Sequence, residues 1–301
     1  LSTIAWTRRR RAFQRSWTDY RRDREGVIGL VVLLLFFAVA IFASLIADPE
    51  NLRAITAEAN DNPQWAPPSE FSPLGTDSLG RPIWDQLVYG SQVSLLVGIA
   101  ATLIAIVIGT AIGVVAGFFG GWTDASLSRL TEWFLVIPFL PLAIVLAAIL
   151  GPSVRNIILV IGITSWPVTA RLIRAQVLTI KQRLYVERSR ALGASSAHVM
   201  GRHILPNVMP LVIANATLTV PIAILSETTL AFLGLGDPTR ISWGSMLEDS
   251  FSAGALGREA WWWYLPPGLC VIAVVLAFTM VGRALEGILD PRLRDRRAVG
   301  R

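Results

Sequence analysis

Six apolar stretches alternate with polar ones along the chain, each too long for a strand and long enough for a helix. The first, Gly26–Ala47, runs 22 residues without a charge. At about 1.5 Å per residue such a run crosses a hydrocarbon core of roughly 30 Å. The pattern predicts further spans over Val93–Phe119, Leu127–Leu150, Asn156–Ala170, Val208–Phe232 and Leu265–Leu289. Gly109, Gly113 and Gly117 recur every fourth residue on one face of the second span. Such a seam admits close approach by another backbone, from this chain or from a partner. Pro138 and Pro141 are expected to bend the third span, and Arg129 and Glu132 near its start to pair along the helix. The fourth is expected to continue as a basic helix. The fifth carries Pro210, Pro221 and a line of polar groups from Asn215 to Thr229, including Glu227. Trp261, Trp262, Trp263 and Tyr264 read as an interfacial aromatic belt ahead of the sixth.

The segments between these spans alternate in charge. Arg8, Arg9, Arg10, Arg11, Arg15, Arg21, Arg22 and Arg24 form a basic arm over residues 1–25. Residues 48–92 hold seven acids against two bases and are broken by prolines 49, 63, 67, 68, 73 and 82. Within them, Pro73–Pro82 has turn chemistry and feeds Trp84, Leu87 and Val88, as a short surface helix or a loop on the headgroups. Arg171, Arg174, Lys181, Arg183, Arg188, Arg190 and Arg202 crowd the middle of the chain, with Glu187 the sole acid among them. A second acidic loop holds Asp237, Glu248, Asp249 and Glu259, and residues 290–301 form a basic tail. The positive-inside bias therefore places both termini and the middle loop in the cytoplasm. A basic arm before an apolar run also describes a secretory leader, but the run exceeds the usual leader core of about 7–15 residues. A retained first span is expected.

Composition agrees with a membrane protein: 53% of the 301 residues are hydrophobic and 16% charged, with a mean hydropathy of +0.55. A soluble domain carries nearer a quarter charged residues. The formal charge of +6 fits a membrane surface better than a nucleic acid, given where the arginines fall. Cys270 is the only cysteine and lies in an apolar run, which reads as a buried inert thiol. The only lysine, Lys181, lacks the preceding glycines of a phosphate loop, so ATP hydrolysis is not expected of this chain. His198 and His203 have no cysteine or suitably spaced carboxylate nearby, which disfavours a metal site and a catalytic triad. Glu227 is the one acid well inside a span. It is placed near the outer end, within reach of water, with helix packing and gating both open as roles. A proton-driven carrier calls for several such groups near the midplane.

One polar stretch, Tyr185–Asn207, interrupts the apolar pattern, and its basic residues put it on the cytoplasmic side. Glu187, Gly193 and Leu205-Pro206 resemble the cytoplasmic loop motif of ABC importer permeases, with Arg188 and Ser189 replacing two small alanines and His203 an isoleucine. Ala191-Leu-Gly-Ala-Ser195 and Arg202-His-Ile-Leu-Pro-Asn207 are similar to dipeptide and oligopeptide permeases of the C type. So are Pro73-Leu-Gly-Thr-Asp-Ser-Leu-Gly-Arg81, Val93-Ser-Leu-Leu-Val-Gly98, Glu227-Thr-Thr-Leu-Ala-Phe-Leu-Gly-Leu-Gly236, Ser242-Trp-Gly244 and Leu289-Asp-Pro-Arg292.

The resemblance implies an all-α, type I importer permease fold: six transmembrane helices, residues 93–289 forming a five-helix core with a cytoplasmic coupling loop at 177–206. It implies a pore subunit that binds no cofactor itself, in the plasma membrane of a bacterium. A homologous B-type permease, two ABC ATPase subunits holding ATP and Mg2+, and an extracytoplasmic peptide-binding protein would be its partners. Glu187, Arg188, Ser189, Arg190, Ala191, Leu192, Gly193, Leu205 and Pro206 would then carry ATPase coupling. Gly193 would end a coupling helix, and Pro206 would stop the second arm and start the fifth span. Pro221 and Glu227 are candidate gate or pore residues. Nickel complexes or oligosaccharides as cargo, and an ATP-independent carrier, remain alternatives.

Overall fold

Among the described residues every regular element is helical, apart from one isolated antiparallel bridge between Thr76 and Pro82. The computed structural model describes residues 17–59, 61–70 and 72–289. Most of the basic arm, the tail 290–301 and the end of the Leu289–Arg292 motif lie outside the described residues.

The first span is α1 (Arg24–Ile41), capped by the Asp23 carboxylate on the Gly26 N–H. The second, α2 (Ile83–Phe119), has 37 residues, begins ten residues before the apolar run and extends about 55 Å. It starts early because Pro82 serves as N-cap and Ile83 donates its N–H to the Gly75 carbonyl, anchoring the first turn in the loop ahead of it. Trp84, Leu87 and Val88 therefore belong to α2 itself and form no separate surface helix.

The third apolar run is two helices, α3 (Gly121–Val136) and α4 (Phe139–Leu150), meeting at 89°. The expected bend is a break. Ile137 precedes a proline and takes ψ 124°, Pro138 takes ψ 130°, and two extended residues in succession end a helix. Among the described residues, five helices are thus long and apolar enough to cross a membrane, or six if the bent pair counts as one span.

α5 (Val154–Lys181) runs through Pro167 and carries the basic extension without interruption. The glycine seam of α2 lies against it. A Cβ on Gly109 would come within 2.6 Å of Thr169 Cβ and the Trp166 carbonyl, one on Gly113 within 2.6 Å of the Ala170 carbonyl, and one on Gly117 within 2.9 Å of Val177. Lipid tails are as apolar as leucine, so this closeness of backbones is itself what holds the pair. The seam is an intrachain contact. At the Gly117 end of the seam the Arg174 guanidinium holds the Asp124 carboxylate with two N–H groups, Nη2 at 2.7 Å, tying α5 to the start of α3. Arg129 and Glu132 make no ion pair; Glu132 instead lines a cleft with Arg171 and Arg174.

α6 (Leu184–Ala191) and a short turn at Ser196–Val199 follow, then a π-type turn at Met200–Ile204 leads into α7 (Leu205–Leu230). α7 is crosslinked to α5 by Asn215 Nδ2 donating to Thr169 Oγ1 at 3.0 Å. Most of its other polar side chains are spent locally: Thr219, Ser226 and Thr229 donate to carbonyls four residues back. α8 (Trp243–Ser252) occupies the second acidic loop, and α9 (Trp261–Leu289) closes the bundle against α1 and α7.

Candidate functional site

The Tyr185–Asn207 stretch folds as a helical bracket of two arms. α6 is eight residues long, and its only buried residue is Val186. Glu187, Arg188, Arg190, Ala191 and Leu192 are exposed, Leu192 by 89%, while Ser189 is half-buried. The helix ends in a Schellman motif. Gly193 takes φ +83° and donates its N–H to the Arg190 carbonyl, and the Ala194 N–H returns to the Ser189 carbonyl at 3.1 Å. The helix end expected at Gly193 is present, in the left-handed conformation. Ser195 then caps the next turn by accepting the His198 N–H.

Three apolar residues fasten the bracket to the spans. Val186, Val199 and Ile204 are fully buried together with Phe118 of α2 and Ile173, Val177 and Ile180 of α5. The Arg190 guanidinium lies 4.6 Å from the centre of the Phe118 ring, a contact worth about 0.5–1 kcal/mol at an exposed position. Tyr185 and His203 rings also meet, 5.9 Å apart, across the two arms. A displacement of α6 would thus be carried directly to the ends of α2 and α5 that hold Phe118 and Ile180. Periodicity could not reveal this plug, since Val186 and the exposed Leu184 two residues before it are both aliphatic and only the fold tells them apart.

Pro206 does not stop the second arm. The helical backbone continues from Ser196 through the turn at Met200–Ile204 into α7 and on to Leu230. Its tolerance of Pro206 comes from the wide turn just before it, where the Leu205 N–H reaches the Met200 carbonyl five residues back. Asn207 Nδ2 supplies a donor to the His203 carbonyl at 2.7 Å. Leu205 and Pro206 are both exposed.

At the other end of the bundle, Glu227 is 1% exposed and Pro221 is also buried. Water does not reach Glu227 because α8 folds over it. Gly244 permits that approach, since a Cβ there would sit 2.8 Å from Thr228 Cα. The Ser94 hydroxyl donates to Glu227 Oε2 at 3.2 Å and accepts the Trp243 N–H at 3.2 Å; Trp243 Nε1 donates to the Leu87 carbonyl. Glu227, Ser94 and Trp243 therefore join α7, α2 and α8 at one point.

The Pro73–Arg81 motif forms a folded cap. Asp77 is fully buried and accepts from the N–H groups of Leu79 and Arg81, from Arg81 Nε at 2.6 Å and from Gln86 Nε2 at 3.0 Å. Arg81 also reaches Asp249 of α8 at 3.4 Å. The expected aromatic belt largely serves this cap. Trp262 Nε1 donates to the Thr76 carbonyl, and Trp263, 1% exposed, packs edge-on to Trp65; Trp261 alone of the three is half-exposed. The loop thus turns inward two tryptophans that composition would place among the lipid headgroups.

Residues 109–295 match the family described as binding-protein-dependent transport system inner membrane component. The chain belongs to this family. Residues 12–68 match the N-terminal TM domain of oligopeptide transport permease C. The chain is 35% identical to the dipeptide transport system permease protein DppC of Alkalihalophilus pseudofirmus, over 94% of this chain and 91% of that protein. It is 36% identical to the DppC of Bacillus subtilis, over 93% and 86%, and 36% to the di/tripeptide transport system permease protein DppC of Pseudomonas aeruginosa, over 93% and 92%. It is thus a multi-span transport permease, all-α, of the type I ABC importer class, with the bracket lying inside the matched family region.

Proposed function

We propose that the chain is the pore-forming permease subunit of an ATP-driven importer of dipeptides or oligopeptides. Peptide cargo is supported by the relatives, whose names describe dipeptide, di/tripeptide and oligopeptide transport. The observation that carries the mechanism is the bracket itself, with an exposed face from Glu187 to Leu192 and a buried Val186–Val199–Ile204 plug behind it. A homologous permease would complete the pore. Two ABC ATPase subunits would bind ATP and Mg2+, and an extracytoplasmic peptide-binding protein would deliver cargo to the outer cap. Positive charge on the arm, the bracket and the tail supports a cytoplasmic location for both termini.

ATPase closure would press on Glu187, Arg188, Ser189, Arg190, Ala191 and Leu192. Because α6 is capped at Gly193, it would move as a rigid body and tilt α2 and α5 through the plug. Glu227 would act here as a junction between α7, α2 and α8, holding the outer end together while the inner end moves. The test is uptake of labelled peptide into proteoliposomes holding this chain, its homologous permease and the ATPases. Uptake is expected only with hydrolysable ATP and binding protein; ATP-independent uptake would overturn the reading.

A further inference from the structure

A cleft of about 310 Å³ opens at the base of the bracket, lined by Phe118, Phe119, Lys181, Arg190, Ala194, Ser196 and Val199. Its charged lining is wholly cationic: the chain's single lysine and Arg190, neither in an ion pair among the described residues. Its floor is aromatic, with Phe119 51% exposed, and the adjoining Trp122 is 87% exposed.

The depth of the cleft says which anion it meets. Phe119, which lines the cleft, is the last residue of the apolar run Val93–Phe119, 27 residues or about 40 Å long, so the cleft lies where α2 leaves the hydrocarbon core. Exposed Phe119 and Trp122 at the same level are the aromatics that such an interface collects. The cleft therefore presents two cations to headgroup phosphates, above a surface suited to acyl chains.

We propose that this cleft is a binding site for the phosphate headgroup of an anionic phospholipid, bridging Lys181 of the span to Arg190 of the bracket. An occupying phosphate would neutralise both cations and hold α6 against the end of α2. The lipid would then set how freely the bracket moves.

The test uses the full chain in vesicles of phosphatidylcholine with or without phosphatidylglycerol, following hydrogen exchange of the amides over 184–199 and, by mass spectrometry, the lipid retained on extraction. Phosphatidylglycerol is expected to slow exchange there. Lys181→Gln should lower retention about fivefold, the usual contribution of one cation at an anionic surface, and Lys181→Arg should restore it. Equal exchange in the two vesicle types, or unchanged retention in Lys181→Gln, overturns the proposal. So does equal protection by inorganic phosphate in neutral vesicles, which would make this a site for free phosphate. None of these readouts involves transport, so they stand apart from the peptide-import reading.

Discussion

The Ser94 hydroxyl on α2 donates at 3.2 Å to the carboxylate of Glu227 on α7, 133 residues away in sequence, while accepting the Trp243 N–H of α8. One small side chain thus satisfies two buried groups from two other helices. Ser94→Ala would strip a donor from Glu227 and an acceptor from Trp243 at a dry junction. Leaving a buried polar group unpaired costs about 1–3 kcal/mol. The variant should melt several degrees lower in mild detergent, whereas Ser94→Thr, which keeps the hydroxyl, should lose less. Identical melting of Ser94→Ala and the native chain would show that Glu227 does not depend on this contact.

The glycine seam predicts a graded response. Gly109 faces Thr169 Cβ and a backbone carbonyl at 2.6 Å, so even alanine requires α2 and α5 to separate. Gly109→Ala should destabilise by about 1–3 kcal/mol, the usual cost of overpacking, and Gly109→Leu should prevent folding. Gly268, with nothing within 4 Å of its would-be Cβ, is the control, and Gly268→Ala should melt no lower than the native chain. Thermal melts of the three variants in one detergent decide the matter; equal melting of Gly109→Ala and Gly268→Ala would remove the seam's role.

Asp237 supplies a pH dependence of known sign. It accepts from the Val154 N–H at 3.1 Å and from the Thr239 N–H and hydroxyl at 2.9 and 2.6 Å. Burial pushes its carboxyl up, but the Thr239 hydroxyl and N–H, the Val154 N–H and nearby Arg240 together outweigh it and hold it below the usual aspartate value. The folded state therefore binds this proton less tightly than the unfolded chain. Its stabilisation is present above the ordinary aspartate value and is lost as pH falls through the lower folded-state value. Asp237→Asn should melt below the native chain at neutral pH, with the gap closing as pH drops below about 3.9. A gap that stays constant with pH would show that the hydrogen bonds act without the charge.

The spans and the basic bracket were legible because each is a local pattern: apolar runs long enough to cross, and arginines gathered between them. Gly193 was legible too, since few other residues tolerate φ +83° at a helix end. Elements that depend on chain folding back were not. Asp77 looked like one acid of a polar loop, but Gln86 and Arg81 bury it. Glu227 looked open to water because nothing local announces α8, whose Trp243 reaches it through Ser94. The break at Ile137–Pro138 had its proline in plain sight, yet the second extended residue follows from the restriction on Ile137. Pro206 misled for the opposite reason, since a wide turn absorbs it.

Gly193 gives the sharpest test of the bracket as a rigid coupling element. Its N–H closes the Schellman motif on the Arg190 carbonyl, and its φ of +83° is barred to proline, whose ring fixes φ near −65°. Gly193→Pro removes both the donor and the conformation, so α6 would lose its defined end while the spans keep their own packing. No atom lies within 4 Å of a Cβ at this position, so Gly193→Ala adds no clash and carries only the left-handed backbone cost of about 1–2 kcal/mol. ATP-dependent peptide uptake should therefore fall in part for Gly193→Ala and vanish for Gly193→Pro. Membrane insertion and helical circular dichroism should stay at native levels in both. Full uptake by Gly193→Pro would show that force does not travel through a fixed α6, and failed insertion would place Gly193 in folding instead of coupling.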